Sequence, residues 1–222
     1  MNCVLCQLPL NLPWGICSQC FQHLPHCITG CGVCGLPLFN QQQSCYHCHE
    51  LKPNWQRLIA VADYKAPFTK LIYQFKSAQK TAFSFALARL MFLAWYQQRL
   101  ATGIARPDIV TCVPLHRSRY WSRGYNQSAL LAKHIAHWLA ADFQPHLILC
   151  NVKKQDQKTL SKIARQRNVA SAFECHSNLT GKTIAVIDDI VTTGHTINAV
   201  SKQLRLQGAR YIQILCLCRT SL

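Results

Sequence analysis

The stretch Ile184-Ala185-Val186-Ile187-Asp188-Asp189-Ile190-Val191-Thr192-Thr193-Gly194-His195-Thr196 decides how this chain is read. Its four leading apolar residues suit a strand buried on both faces. They give way to two acids at the strand's carboxyl end, where open α/β sheets take their ligands. The turn from Thr192 to Thr196 then leads into a helical pattern, so its backbone N–H groups and hydroxyls surround an anion at a helix N-terminus. Gly194 lets the backbone approach an anion that a Cβ would hold off. Carboxylates that accept hydrogen bonds from vicinal sugar hydroxyls, beside a cradle for phosphate, suit a ribose phosphate. The plainer competitor is a capped strand-to-helix turn whose acids are simply solvated.

The flanking sequence supplies the rest of an α/β fold. Downstream, Ile197, Val200, Leu204 and Leu206 mark a helix ending near Gly208, and Tyr211 to Cys218 reads as a late strand. Upstream, Leu58 to Ala62 is a first strand, followed by a turn over Asp63 to Pro67. Phe68, Leu71, Ile72 and Phe75 recur at helical spacing, and after a polar break at Ser77 to Lys80 a longer helix runs to about Leu100. Ile109 to Val113 is the next strand, closed by Pro114, which cannot donate to a sheet ladder. Leu147 to Cys150 reads as another strand, and the alternation of strands and helices predicts a parallel sheet.

Two basic segments face this framework. Between Pro114 and Gln127 lie Arg117, Arg119 and Arg123 with the aromatic pair Tyr120-Trp121. That composition makes either an anion-binding loop or a solvated basic loop. Gly124 allows a tight turn and Asn126 can cap a helix over Gln127 to Ala140. Between Asn151 and Asn168, Lys153, Lys154, Lys158, Lys162, Arg165 and Arg167 stand against the single acid Asp156. In an enzyme such a loop closes over substrate and excludes water; in a binding protein it follows a nucleic-acid backbone. Ser161 to Ala172 is expected to be helical.

Composition narrows the class. The 222 residues include 24 Lys and Arg against 8 acids, a formal charge of +16, which draws polyanions to the surface. Nucleic acid is the natural partner, although charge gathered around a small anionic ligand would look the same. The richest apolar segment, Ala82 to Tyr96, is interrupted by Arg89 and reads as a buried helix, not a membrane span. The first residues lack the basic and apolar regions of a secretory signal, so the expectation is a cytoplasmic protein with no membrane span.

Residues 1–52 read as a separate module ahead of a second domain over 53–222. Eight of the 14 cysteines form four Cys-x-x-Cys pairs: Cys3/Cys6, Cys17/Cys20, Cys31/Cys34 and Cys45/Cys48. This is metal spacing and not a disulfide framework. The second half repeats the first at an offset of 28 residues (31 − 3 and 48 − 20), predicting two zinc ribbons with two structural Zn²⁺. Each repeat can hold its own metal, or Cys17/Cys20 can share one with Cys31/Cys34; the spacing allows both. His23, His26, His47 and His49 are left over as surface residues, and Cys27 has no place in the pattern. Cys112, Cys150, Cys175, Cys216 and Cys218 lie mostly in apolar runs, as core cysteines do, and none has a base beside it to make it a catalytic thiol.

The Asp188–Thr196 string resembles the phosphoribosyl pyrophosphate signature of type I phosphoribosyltransferases. That resemblance implies ribose binding by Asp188 and Asp189, 5′-phosphate binding by Thr192, Thr193, Gly194, His195 and Thr196, a pyrophosphate loop at Leu115, His116 and Arg117, and Mg²⁺ with the diphosphate. The order of parts resembles the ComF/GntX family across nearly the whole chain. It is carried by the cysteine knuckles, Asp63-Tyr64, Phe75-Lys76, Val113-Pro114-Leu115, Arg123 to Gln127, Arg167-Asn168 with Ala172-Phe173, and Asp188 to Gly194. The closing Leu-Cys-Leu-Cys-Arg-Thr, 215–220, is similar to the gammaproteobacterial branch. This chain departs in carrying Lys153 and Lys154 where arginines are common, and lysine lacks arginine's bidentate fork. It also has Cys112 where a small aliphatic residue is usual, a change expected to be silent.

The family resemblance implies a factor of natural transformation or DNA utilisation that acts on incoming single-stranded DNA and contacts partners such as a DNA-translocating ATPase. Arg119, Arg123 and the basic residues of 153–167 are the candidate DNA contacts. Two alternatives stand beside it. One is an active Mg²⁺-dependent phosphoribosyltransferase with an unknown nitrogenous acceptor, for which no catalytic residue is identifiable. The other is a zinc-ribbon interaction scaffold without a ligand.

Overall fold

The computed structural model describes residues 2–11, 15–24, 30–38, 45–77, 83–115, 121, 124–150 and 172–220. Short helices α1 (Ser18–Gln22) and α2 (Tyr46–Leu51) belong to the cysteine module. The main domain follows as β1 (Arg57–Asp63), α3 (Phe68–Ser77), α4 (Phe83–Thr102), β2 (Ile109–Cys112), α5 (Gln127–Leu139) and β3 (Asp142–Phe143). It continues as β4 (Leu149–Cys150), β5 (Phe173–Glu174), β6 (Thr183–Val191), α6 (His195–Leu206) and β7 (Tyr211–Arg219). Five strands form one parallel sheet in the order β1-β7-β6-β2-β3.

Alternation along the strands sends side chains to two cores. Val110, Cys112, Ala185, Ile187, Leu215 and Leu217 face one side, covered by Phe68, Leu71, Ile72 and Phe75 of α3, the long helix α4, and Leu131, Ile135 and Leu139 of α5. Ile109, Ile184, Val186, Ile212 and Ile214 face the other, against Ile197, Val200 and Leu204 of α6. The apolar segment with Arg89 is α4 in this core, and among the described residues no helix is long and apolar enough to cross a membrane. Gln213, fully buried in β7, accepts from Trp95 Nε1 at 2.8 Å and donates to the Ala105 carbonyl at 2.7 Å, so neither end of its amide is orphaned.

Two expectations need correction. The strand over Leu147 to Cys150 contributes only β4, which pairs antiparallel with β5 outside the main sheet. The sheet's place beside β2 is taken instead by the two residues Asp142 and Phe143, and Pro145, which has no N–H, interrupts the chain before Leu147. Second, the acids do not stand beyond their strand. β6 runs nine residues through them, because β7 keeps pairing with it at Asp188, Ile190 and Val191 after β2 has ended opposite Ile187.

The repeat seen in the sequence is a repeat of structure. Cys3 N–H donates to the Leu8 carbonyl at 2.9 Å, and Cys31 N–H to Leu36 at 2.8 Å; Gln7 N–H returns to Cys3 at 3.0 Å, and Gly35 N–H to Cys31 at 2.7 Å. Each partner is displaced by the same 28 residues. The first knuckle buries Cys3, Val4, Ile16 and Leu24 against the α4 side of the sheet, whereas Val33 and Leu51 of the second pack on the α6 side.

Candidate functional site

From the centre of the sheet, β2 leads outward through α5 to β3, and β6 leads the opposite way through α6 to β7. The carboxyl ends of β2 and β6 therefore flank a switch point, the crevice where open parallel sheets bind ligands. Asp188 and Asp189 sit there because β6 outlasts β2 on that side.

Asp188 Oδ1 accepts from the Ser128 hydroxyl at 3.1 Å and from the Asp189 N–H at 2.9 Å. Asp189 Oδ1 accepts from the Ile190 N–H at 2.7 Å, while its Oδ2 lies 2.7 Å from Lys76 Nζ. Burial, then the charge of Asp189, push Asp188 up from its ordinary 3.8 to about 8, against the pull of its hydrogen bonds and of Lys76. The pair thus divides its labour: Asp189 has a lysine partner, and burial beside a second carboxylate holds Asp188 well above the usual carboxylate range.

Ser128 reaches Asp188 because Asn126 fixes the start of α5. Its Oδ1 accepts from the Ser128 N–H at 3.0 Å, the expected cap, and its Nδ2 donates to the Val113 carbonyl at 3.0 Å. Lys76 is brought in by Tyr125, whose hydroxyl donates to the Phe75 carbonyl at 2.6 Å and ties the end of α3 to the same loop. Charge counting does not single out Lys76; the pairing of its helix's last turn with the acids is visible only in three dimensions.

The turn that follows is open to solvent at Thr192, Thr193, His195 and Thr196 and buried at Gly194. Gly194 has φ +83° and caps α6; a Cβ there would lie 3.0 Å from Leu51 Cδ2 and 3.4 Å from Trp55 Cη2. The glycine is required both by its left-handed backbone and by the cysteine module packed against it. Leu115 is half-buried just after β2 and Trp121 is almost wholly exposed. His116, Arg117, Arg119, Arg123, Lys153, Lys154, Lys158, Lys162, Arg165 and Arg167, with the expected helix after Ser161, lie outside the described residues.

The eight knuckle cysteines gather within their own repeats, as Cys3, Cys6, Cys17, Cys20 and as Cys31, Cys34, Cys45, Cys48, so the shared pairing does not occur. A tetrahedral Zn²⁺ with Zn–S bonds near 2.3 Å has S···S edges of about 3.8 Å. The Sγ pairs Cys6–Cys17 at 3.8 Å, Cys31–Cys48 at 3.6 Å and Cys34–Cys45 at 3.4 Å fit that figure. Crowding pulls the pKa values of the thiols in each set apart. Burial and neighbouring thiols push Cys20 and Cys34 up to about 12 and Cys48 higher still; Cys3, despite burial, is drawn down to about 6 by backbone N–H groups including that of Cys17. A divalent cation satisfies four such sulfurs at once.

His47 is not the surface residue its sequence position suggested. It is half-buried, faces the backbone of Thr193, and its Nε2 lies 3.4 Å from Arg219 Nη2; burial and Arg219 lower its pKa. His23 and His49 are exposed as expected, and His26 and Cys27 lie outside the described residues. Cys112 is buried beside Asn126 and the Pro145 carbonyl, where burial, then Asp188, pushes its thiol up to about 12, and it packs as a core residue.

A family model described as a phosphoribosyl transferase domain matches residues 126–221, from the α5 cap through the acids to the end of β7. The DNA utilization protein YhgH of Salmonella typhimurium is 38% identical over 219 residues, covering 98% of this chain and 96% of that one. Competence protein F of Haemophilus influenzae is 31% identical over 222 residues, again covering 98% and 96%. Competence protein ComFC of Streptococcus pneumoniae is 30% identical over 159 residues, 68% of this chain and 67% of its own length. Because the first two similarities span both the cysteine knuckles and the parallel sheet with its acid pair, this chain belongs to the ComF/GntX family.

Proposed function

We propose that the chain serves DNA uptake or utilisation by handling single-stranded DNA, and that its β2/β6 crevice takes phosphoribosyl pyrophosphate, or a ribose phosphate of the same chemistry, with Mg²⁺. One observation carries the ligand: two carboxylates and an exposed glycine-centred turn share one strand-to-helix junction at the sheet's switch point. A ribose across that junction offers its vicinal hydroxyls to Asp188 and Asp189 and its 5′-phosphate to the N–H groups and hydroxyls of Thr192–Thr196. Asp188 accepts such hydroxyls best once its proton has left, and Lys76 holds Asp189 in place meanwhile. Mg²⁺, when bound with the diphosphate, would neutralise its charge. Leu115, His116 and Arg117 are the proposed pyrophosphate loop. Arg119, Arg123 and the basic residues of 153–167 are the proposed DNA contacts, supported by the +16 charge and by the names of the relatives.

The test is calorimetric titration of phosphoribosyl pyrophosphate with Mg²⁺ into wild type and Asp188→Ala/Asp189→Ala. Binding lost in the double variant supports the site; no binding to folded, zinc-loaded wild type leaves the fold as a scaffold. Release of pyrophosphate with any nucleobase would mark a transferase. For the DNA half, affinity for single strands should fall steeply with salt and drop when Lys153, Lys154 and Arg165 are neutralised.

A further inference from the structure

The two cysteine knuckles repeat one another in sequence and hydrogen bonding, yet among the described residues only the second touches the candidate site. Arg219, 1% exposed at the end of β7, donates from Nε to the Cys34 carbonyl at 2.9 Å and from Nη1 to the Val191 carbonyl at 3.1 Å. One end of the guanidinium thus holds a metal-ligand residue and the other the residue immediately before the turn. Because a guanidinium can only donate, its approach to His47 Nε2 leaves the ring proton on Nδ1. The same imidazole, flanked in sequence by Cys45 and Cys48, faces the Thr193 backbone inside the turn.

The far end of α2 completes the contact. The Leu51 carbonyl accepts from Asn198 Nδ2 at 3.0 Å, and Asn198 Oδ1 accepts from the Asn54 N–H at 2.8 Å and from Asn54 Nδ2 at 2.9 Å, so the first turn of α6 is tied to the module's exit. Leu51 and Trp55 also close the space beside Gly194. The first knuckle, on the other face, instead lays Gly15 against Ala86 of α4.

We propose that the second four-cysteine centre, and not the first, sets the shape of the Thr192–Thr196 turn, with His47 and Arg219 as positioning residues that transmit the fold of the knuckle to it. Residues 45–51 have little core of their own, so α2 and His47 keep their places only while Cys31, Cys34, Cys45 and Cys48 share a cation. Metal loss at this centre releases the turn, while loss at the first leaves it in place. The consequence for a phosphate ligand rests on the proposed function; the consequence for the turn does not.

Amide hydrogen exchange on the full-length protein, with zinc content measured alongside, tests this without a ligand. Compared are Cys45→Ser/Cys48→Ser, Cys6→Ser/Cys20→Ser, and His47→Ala, which keeps every cysteine. Exchange over 192–196 should rise about tenfold or more in the first variant and several-fold in His47→Ala, in line with lost hydrogen bonds. It should stay unchanged in the Cys6/Cys20 variant, with Ile184–Ile187 protected in all three. His47→Gln, which keeps a donor and an acceptor, should recover part of the protection. An unchanged turn in a Cys45/Cys48 variant reduced to one zinc, or an equal rise in the Cys6/Cys20 variant, overturns the proposal. In parallel, phosphoribosyl pyrophosphate with Mg²⁺ should bind about tenfold more weakly to the first variant. If wild type does not bind it, the ligand reading fails and the exchange pattern alone decides the positioning.

Discussion

Replacing Asp188 with asparagine should flatten a pH dependence of stability that this one carboxyl creates. Burial and Asp189 raise it from 3.8 to about 8. Between those values the folded chain keeps a proton that the unfolded chain releases, so stability is fullest below 3.8 and is lost as pH rises towards 8. The slope for one such group is about 1.36 kcal/mol per pH unit. From pH 5 to pH 7 it removes about 3 kcal/mol, a large share of the 5–15 kcal/mol typical of a folded domain. Asparagine retains an oxygen for the Ser128 hydroxyl and the Asp189 N–H but has no proton to lose. Urea unfolding of both proteins at pH 5, 6 and 7, with zinc held saturating, isolates the effect, because other ionising groups largely cancel in the difference. The variant should gain on wild type by more than 1 kcal/mol per pH unit. Parallel curves would mean that Asp188 is ionised throughout and that the two carboxylates do not divide as described.

Lys76→Met leaves Asp189 without its cation in a place where the two side chains are only 25% and 13% exposed. It should cost about 1–3 kcal/mol of stability at pH 8 by denaturant titration, and a loss below 0.5 kcal/mol would show a solvent-screened pair. Gly194→Ala sets a Cβ at φ +83° and 3.0 Å from Leu51 Cδ2; about 1–2 kcal/mol of destabilisation is expected, with faster exchange at Thr193 to Thr196. Chelator titration with a colorimetric zinc readout should release two metal ions per chain and lower the melting temperature; one ion, or none, would contradict two four-cysteine centres.

The acid pair, the glycine turn and the cysteine repeat were legible because each is a local pattern with a fixed spacing. Asn126 was legible too, since a cap acts on the N–H two residues away. The order of strands was not: β7 lies between β1 and β6, and no residue of Tyr211 to Arg219 announces that position. β3 was missed because two residues show no periodicity, and β6 ran longer than its apolar stretch because its neighbour β7 continued. Lys76 and Arg219 lay in strings that carried the family resemblance, but their contacts, like those of His47, escaped for one reason. Each acts on a residue more than 25 positions away, Arg219 on Cys34 across 185, and separations of that size leave no trace in spacing.

The strand β1 forms one border of the sheet, and the other border, β3, is too short to template anything. Leu58 of β1 donates its N–H to Gly32 at 3.3 Å, and the knuckles with α4 enclose Arg57 to Val61 around a cleft of about 250 Å³. The cysteine module is therefore also a bumper. An unshielded border with five consecutive apolar residues, Leu58 to Ala62, invites the same border of another molecule. Protein stripped of metal or oxidised at its thiols should then not merely soften but polymerise, border to border, and the light it scatters would report on the knuckles before any ligand assay could.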